Sequence, residues 1–258
     1  MQDHENNAVA LSNTPPPIPH DKVRRTEIIS AVNLKKMYQG VTVLDIPSIA
    51  LYSGESLGLV GNNGAGKTTF FRLILDLIEA SSGEVKIDGE KVARHDEWKS
   101  KVGSFLDESF LIDFLTPEEY FAFTAKVYNK SEGDVTQFLD SMREFFNGEI
   151  LGSKKLIRDL SKGNQKKTGI AAALISDPQI LILDEPFTAL DPTSQIRLKR
   201  MLNELKTTKK MTMLISSHDL NHVTEVCDRI VVLEKGVVVR DIPTNENTLK
   251  ELESYFAV

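Results

Sequence analysis

A single cysteine, Cys227, in 258 residues leaves no disulfide framework and no thiolate metal cluster, which fits a reducing compartment. There is no basic excess either: 31 Lys and Arg against 37 Asp and Glu give a formal net charge of -6 at pH 7. Nucleic-acid binding would need a local basic patch that composition does not supply, whereas a phosphate-rich ligand held in a pocket stays open. No apolar run reaches the roughly 18 residues that a membrane-spanning helix needs, so a role at a membrane requires a partner that crosses it. Residues 1–27 have acidic and polar residues where a secretory signal has a basic start, and their only apolar run is "AVAL", so no signal peptide is expected. Pro15, Pro16 and Pro17, with few large apolar side chains around them, predict a disordered or extended tail over 1–27.

What is present is a chain with 41% hydrophobic residues, long enough to bury a real core. "EIISAVNL", "VTVLDIPSIAL" and "ESLGLV" read as strands, and helical periodicity takes over in "KTTFFRLILDLI". "GEVKIDGEKV" reads as a hairpin with Asp88-Gly89 at its turn. From Pro117 to about Phe146 the pattern is helical, and eight of the twelve phenylalanines fall between Lys101 and Asn147. Strand and helix then alternate: a helix over 162–176, the strand "QILILDE", a helix from Pro192, the strand "MTMLISS", a helix near Leu220 and a final hairpin "RIVVLEKGVVVR". Short apolar strands separated by helices imply an α/β fold with a mostly parallel sheet covered on both faces. The expected architecture is that core over 28–240, with a small antiparallel β subdomain near its start, an inserted α-helical subdomain at about 107–176, and a short helical tail over 241–258.

"GNNGAGKTT", Gly61 to Thr69, follows a strand and opens a helix, the context of a phosphate-binding loop. Gly61, Asn62, Asn63, Gly64, Ala65 and Gly66 would turn backbone N–H groups onto an anion, with Thr69 in the first helical turn. Lys67 would reach the β- and γ-phosphates and the Thr68 hydroxyl would hold Mg²⁺. "ILILDEP" places Asp184 and Glu185 at the C-terminal end of a buried strand, where ligands sit in parallel α/β sheets. There Asp184 suits Mg²⁺ and Glu185 suits orienting and deprotonating a water. His218 in "LISSHDL" ends another core strand; it is either a turn histidine beside the helix cap Asp219 or a donor to a γ-phosphate.

"DLSKGNQKKTG", Asp159 to Gly169, sets three lysines ahead of "IAAALIS". Ser161 is a good helix N-cap, but Lys162 lies beside the positive end of the helix macrodipole. An anion at that helix start would remove the conflict, and Gly163 would let it approach the backbone. Lys166 and Lys167, further in, read as solvated. Chemistry alone leaves a capped helix start and an anion site equally supported.

"GNNGAGKTT", "DLSKGNQKK", "ILILDEPFTALDP" and "LISSHDL", in this order, resemble the Walker A, signature, Walker B with D-loop, and switch-histidine motifs of ABC-type ATPases, over nearly everything from Ile28 to Arg240. The resemblance implies a P-loop NTPase core that uses ATP and Mg²⁺, with Glu185 and His218 catalytic and Tyr38 stacked on adenine. It also implies a head-to-tail dimer, in which Ser161, Lys162 and Gly163 of one copy meet the γ-phosphate bound by the other and Asp191 supports the interface. Two positions depart from the family pattern. The usual LSGGQ reads "LSKGN", and such SKG variants belong to exporter ATPases for drugs, polysaccharides and lipids. The usual glutamine after "KVGSFL" is Asp107, which can offer Mg²⁺ an oxygen at the cost of added negative charge, with Glu108 as its substitute if the register slips by one. The aromatic stretch "FLIDFLTPEEYFAFTAKVY" reads both as the core of a helical lobe and as a groove for a short helix of a transmembrane permease. The short tail after Asp241 tilts the expectation toward export. The expected function is the ATPase subunit, peripheral at the inner face of the membrane, of a separately encoded exporter; the alternatives are a soluble ABC-type ATPase, as in iron–sulfur assembly, and a regulatory nucleotide-binding module.

Overall fold

The two periodicities of the chain assemble two sheets. In this computed structural model, which describes residues 26–257, β1 (Glu27–Tyr38) and β2 (Val41–Tyr52) pair antiparallel, and β4 (Ser82–Ile87) and β5 (Glu90–Lys91) complete a four-stranded sheet of order β2-β1-β4-β5. The tail expected over 1–27 lies outside the described residues as far as residue 25. Asp88 and Gly89 take φ of 54° and 80°, which fits the tight turn that joins β4 to β5.

The second sheet holds six strands. Its order is β10-β9-β3-β8-β7-β6, built from β3 (Ser56–Val60), β6 (Val102–Phe105), β7 (Ile180–Leu183), β8 (Thr212–Ser217), β9 (Arg229–Glu234) and β10 (Val237–Pro243). All neighbours are parallel except the β9–β10 hairpin. β10 runs on to Pro243, so the boundary expected at 240 falls inside a strand. The inner strands are mostly apolar and wholly buried because both faces are covered. Ile180 and Ile182 of β7 join the core shared with the small sheet and α1 (Lys67–Ile74), while Leu181 and Leu183 join the core on the opposite face. α1 stops short of the periodic run that predicted it, since Asp76 turns left-handed at φ 52°.

That opposite core takes in the helical segment: α2 (Pro117–Val127), α3 (Glu132–Ser141), α4 (Arg143–Phe146) and α5 (Lys162–Leu174). Thr116 with Glu119 and Ser131 with Asp134 form reciprocal capping boxes that start α2 and α3. Of the phenylalanines here, Phe105, Phe121, Phe145 and Phe146 are buried, whereas Phe110, Phe114 and Phe123 are exposed. α5 lies hard against β6; a Cβ on Gly169 would meet the Phe105 ring at 2.1 Å. Beyond it come α6 (Pro192–Lys209), α7 (Leu220–Val226) and α8 (Thr248–Phe256).

Candidate functional site

The C-terminal ends of β3, β7 and β8 converge, and each delivers one part of the site. After β3 the loop turns through Gly64 and Gly66 at φ 81° and 106°, values that side chains rarely adopt. Its first intrahelical bond is Phe70 N–H to the Gly66 carbonyl, so the amides of Lys67, Thr68 and Thr69 precede the ladder and point out of the helix start. A Cβ on Gly64 would meet nothing within 4 Å, which leaves that face of the loop open. Ala65 is buried and its carbonyl accepts from Gly236 N–H, anchoring the loop to the β9–β10 turn, while Asn62 and Asn63 stay exposed.

Lys67 is buried and folds back: its Nζ donates to the Gly61 carbonyl at 2.6 Å and lies 3.4 Å from Glu185 Oε1. Thr68 Oγ1 donates to Asp184 Oδ2 at 2.5 Å, and Ser216 Oγ donates to Asp184 Oδ1. Burial pushes the Asp184 carboxyl above its usual range, with these two hydroxyls pulling it back. Ser216 Oγ also accepts the Glu185 amide at 2.8 Å. Glu185 itself sits at φ 48°, an unusual value for a side-chain-bearing residue. Its Oε2 faces His218 Nδ1 at 2.9 Å and takes the His218 amide at 3.3 Å; its Oε1 is buried without a hydrogen-bond partner. The ring of His218 is half exposed, and Asp219 beside it caps α7, so the cap and the contact with the acid coexist.

The other expected residues lie apart from this cluster; no hydrogen bond or ion pair joins them to it among the described residues. Tyr38 ends β1 at 48% exposure, with Lys36 Nζ over its ring at 4.8 Å. Ser161 caps α5 by accepting the Asn164 amide at 3.2 Å, and Lys162 is exposed. Gly163 packs against the loop after β7: a Cβ there would meet the Ala189 carbonyl oxygen at 2.7 Å, a structural demand for glycine that needs no anion. Asp191 caps α6 through Ser194, whose hydrogen bonds hold its carboxyl below the usual range. Asp107 accepts the Ser109 amide at 2.8 Å and makes no hydrogen bond to Thr68 or Asp184.

One expectation fails outright. Lys166 and Lys167 are not solvated but 4% and 1% exposed. Lys166 Nζ donates to the Glu185 carbonyl at 2.9 Å and to Thr188 Oγ1 at 3.0 Å, and lies 3.6 Å from Glu108 Oε1. Lys167 Nζ donates to Glu149 Oε2 at 3.3 Å and is 4.0 Å from Asp191. Both point under the loop after β7 and into the helical segment, surroundings that a helix read in isolation does not reveal. Ser216 was also missed. The pair of serines that ends the mostly apolar strand "MTMLISS", of which Ser216 is the first, was its signal.

The sequence profile of the ABC transporter family matches residues 44–188, which spans both the phosphate-type loop and the Asp184–Glu185 pair. The chain belongs to the ABC transporter family. An uncharacterized ABC transporter ATP-binding protein of Nostoc is 33% identical over 221 residues, 82% of this chain and 65% of the relative. The bacitracin transport ATP-binding protein BcrA of Bacillus licheniformis is 32% identical over 217 residues, 84% of this chain and 70% of its own length. This ABC chain thus spans just under two thirds of the Nostoc relative. Among solved structures it is similar to an ATP-binding subunit of an ABC transporter, with TM-score 0.77 and 29% identity over 88% of this chain and 93% of that one. A dimeric bacterial ABC transporter cassette shares the fold at TM-score 0.75, with 24% identity over 84% of this chain and 99% of that one.

Proposed function

We propose that this chain binds ATP at the loop Gly61–Thr69 and hydrolyses it, as the ATPase subunit of an exporter whose membrane-crossing part is another protein. The observation that carries the chemistry is Glu185. One carboxylate oxygen is held by His218, while Oε1 is buried with no hydrogen-bond partner and has the Lys67 ammonium beside it at 3.4 Å, an arrangement suited to accepting a proton from a water once Lys67 turns onto a phosphate. Lys67, now spread between the Gly61 carbonyl and that same acid, is a cation within reach of the loop and able to turn onto the β- and γ-phosphates. His218 Nδ1 against the carboxylate leaves Nε2 for the γ-phosphate. The Thr68 hydroxyl and the Asp184 carboxylate, already 2.5 Å apart, fit a hard cation, and bound Mg²⁺ would neutralise charge on the transferred phosphate. Asp107, turned onto Ser109, is a weaker fit to that set.

Ser161, Lys162 and Gly163 make no hydrogen bond or ion pair to this chain's own loop, and the exposed start of α5 presents amides and a cation outward. A second copy bringing its γ-phosphate there completes both sites, so ATP bridges two chains and its cleavage removes the bridging charge. Tyr38, an exposed aromatic at the end of β1, takes the adenine. A cleft of about 360 Å³ between β6 and α2, bordered by Leu77, Phe110, Tyr120 and Tyr128, suits a short helix of a transmembrane permease. The Lys162–Gly163 signature favours export.

Changing Glu185 to Gln tests the reading. ATP binding should persist, an ATP-dependent dimer should accumulate, and phosphate release should vanish; release at the wild-type rate would sink the assigned role. In fractionated cells the chain should sediment with membranes and come off in detergent with an integral membrane protein, whereas a wholly soluble chain would favour the alternative of a soluble ATPase.

A further inference from the structure

Glu185 holds its left-handed backbone between two clamps. Ser216 Oγ accepts its amide, and its carbonyl accepts from Thr188 Oγ1 at 2.8 Å and from Lys166 Nζ at 2.9 Å. Lys166 reaches this carbonyl from α5, a different element, and does so as a cation almost wholly removed from water. A buried ammonium persists only with a counter-charge, and Glu108 supplies it at 3.6 Å from the loop that follows β6. The Lys166 ammonium also lies over the Phe105 ring, 5.8 Å from its centroid, so the aromatic face adds a cation–π contact to the polar ones.

We propose that Lys166 is a positioning residue for Glu185, and that the Lys166–Glu108 ion pair ties the loop leading into the helical segment to the backbone of the acid. This gives Glu108 a role different from the metal ligand its neighbour's position suggests. It also makes the second half of "LSKGNQKK" part of the hydrolytic apparatus of its own chain, while the first half faces outward. Displacement of the 108–110 loop, which lies beside the cleft at β6, pulls on the counter-charge of Lys166 and so on the carbonyl of Glu185; Oε1 then moves relative to the phosphate. The proposal rests on Glu185 acting as the base.

The test uses the full chain with Lys166→Met, Glu108→Gln and the double variant, and Glu185→Gln as a control. Methionine keeps an unbranched apolar side chain of nearly the same reach while removing the charge and the donors. At saturating ATP, Lys166→Met should lower kcat about ten- to a hundredfold, the upper end being the scale of a reacting group misplaced by about 1 Å, with nucleotide affinity changed by less than about twofold. Glu108→Gln should lower kcat in the same direction, and the double variant should match Lys166→Met instead of compounding the two losses. The double variant carries no unpaired buried charge, so it remains informative if Glu108→Gln is unstable. Wild-type kcat in Lys166→Met, affinity falling in step with kcat, or additive losses would each overturn the proposal. Should Glu185→Gln be inactive while Lys166→Met turns over normally, only the positioning role falls; should Glu185→Gln release phosphate at the wild-type rate, the base assignment falls and takes this role with it.

Discussion

Gly163→Ala separates two reasons for a glycine in the signature stretch. If Gly163 serves only the approach of an anion, the nucleotide-free chain should tolerate a methyl group. The structure says otherwise, because the new Cβ would lie 2.7 Å from the Ala189 carbonyl oxygen, where ordinary contact begins at 3.4 Å. Relief requires about 0.7 Å of separation between α5 and the loop after β7, from the difference of those two distances. Neither side gives readily: Ala189 is left-handed at φ 60°, and next to it Leu190 is buried in the core. Overpacking of this kind costs about 1–3 kcal/mol, and the better helix propensity of alanine returns at most about 1 kcal/mol, less at a helix start. With about 0.5 kcal/mol returned at a helix start, the net loss of about 0.5–2.5 kcal/mol corresponds to a fall of about 1–10 °C in melting temperature for a chain of this size. Thermal unfolding of the nucleotide-free protein, followed by circular dichroism, measures it. An unchanged or raised midpoint, with ATP-driven dimerisation alone impaired, would refute the packing argument and return Gly163 to the anion.

Two further outcomes follow from the same geometry. Burial raises the Asp184 carboxyl, so its contribution to stability is present below the unfolded pKa and is lost as pH rises through the folded value. Asp184→Asn should therefore raise the melting temperature of the nucleotide-free chain at neutral pH, with the gain shrinking as the buffer is acidified; a gain independent of pH would contradict this. Lys162→Glu reverses an exposed charge at the start of α5 and should weaken ATP-dependent dimerisation, seen by analytical ultracentrifugation, at least about tenfold more than nucleotide binding by the monomer. Equal losses in the two assays would remove Lys162 from the shared site.

The elements that were legible in the sequence are those whose signal is local. Strands such as "ILIL" and "SLGLV" are short and largely apolar because the sheet is covered on both faces, and the helical stretch from Pro117 showed its periodicity, although its division into α2, α3 and α4 did not show. The loop Gly61–Thr69 and the pair Asp184–Glu185 were legible for the same reason, since spacing and position at strand ends carry their chemistry. What stayed hidden was set by residues far away in the chain. Lys166 is buried because Glu185, Thr188 and Glu108 surround its ammonium, and Lys167 because Glu149 does. A run of lysines at a helix start has the same spelling whether water or carboxylates receive it. Asp107 shows the converse. Its position in the motif pattern pointed to a metal, but a local amide two residues on, that of Ser109, has taken its oxygen.

The three positions where reading α5 alone misleads, Gly163, Lys166 and Lys167, all face the segment 185–191. Gly163 packs on the Ala189 carbonyl, Lys166 donates to the Glu185 carbonyl, and Lys167 approaches Asp191. These are successive contacts of one helix along one loop, and that loop runs from the acid to the cap of α6. A partner's γ-phosphate arriving at the start of α5 would therefore press on the segment that carries Glu185 of the same chain. In a head-to-tail pair this would link the outward half of one site to the hydrolytic half of the other through the contacts that Gly163, Lys166 and Lys167 make with that loop.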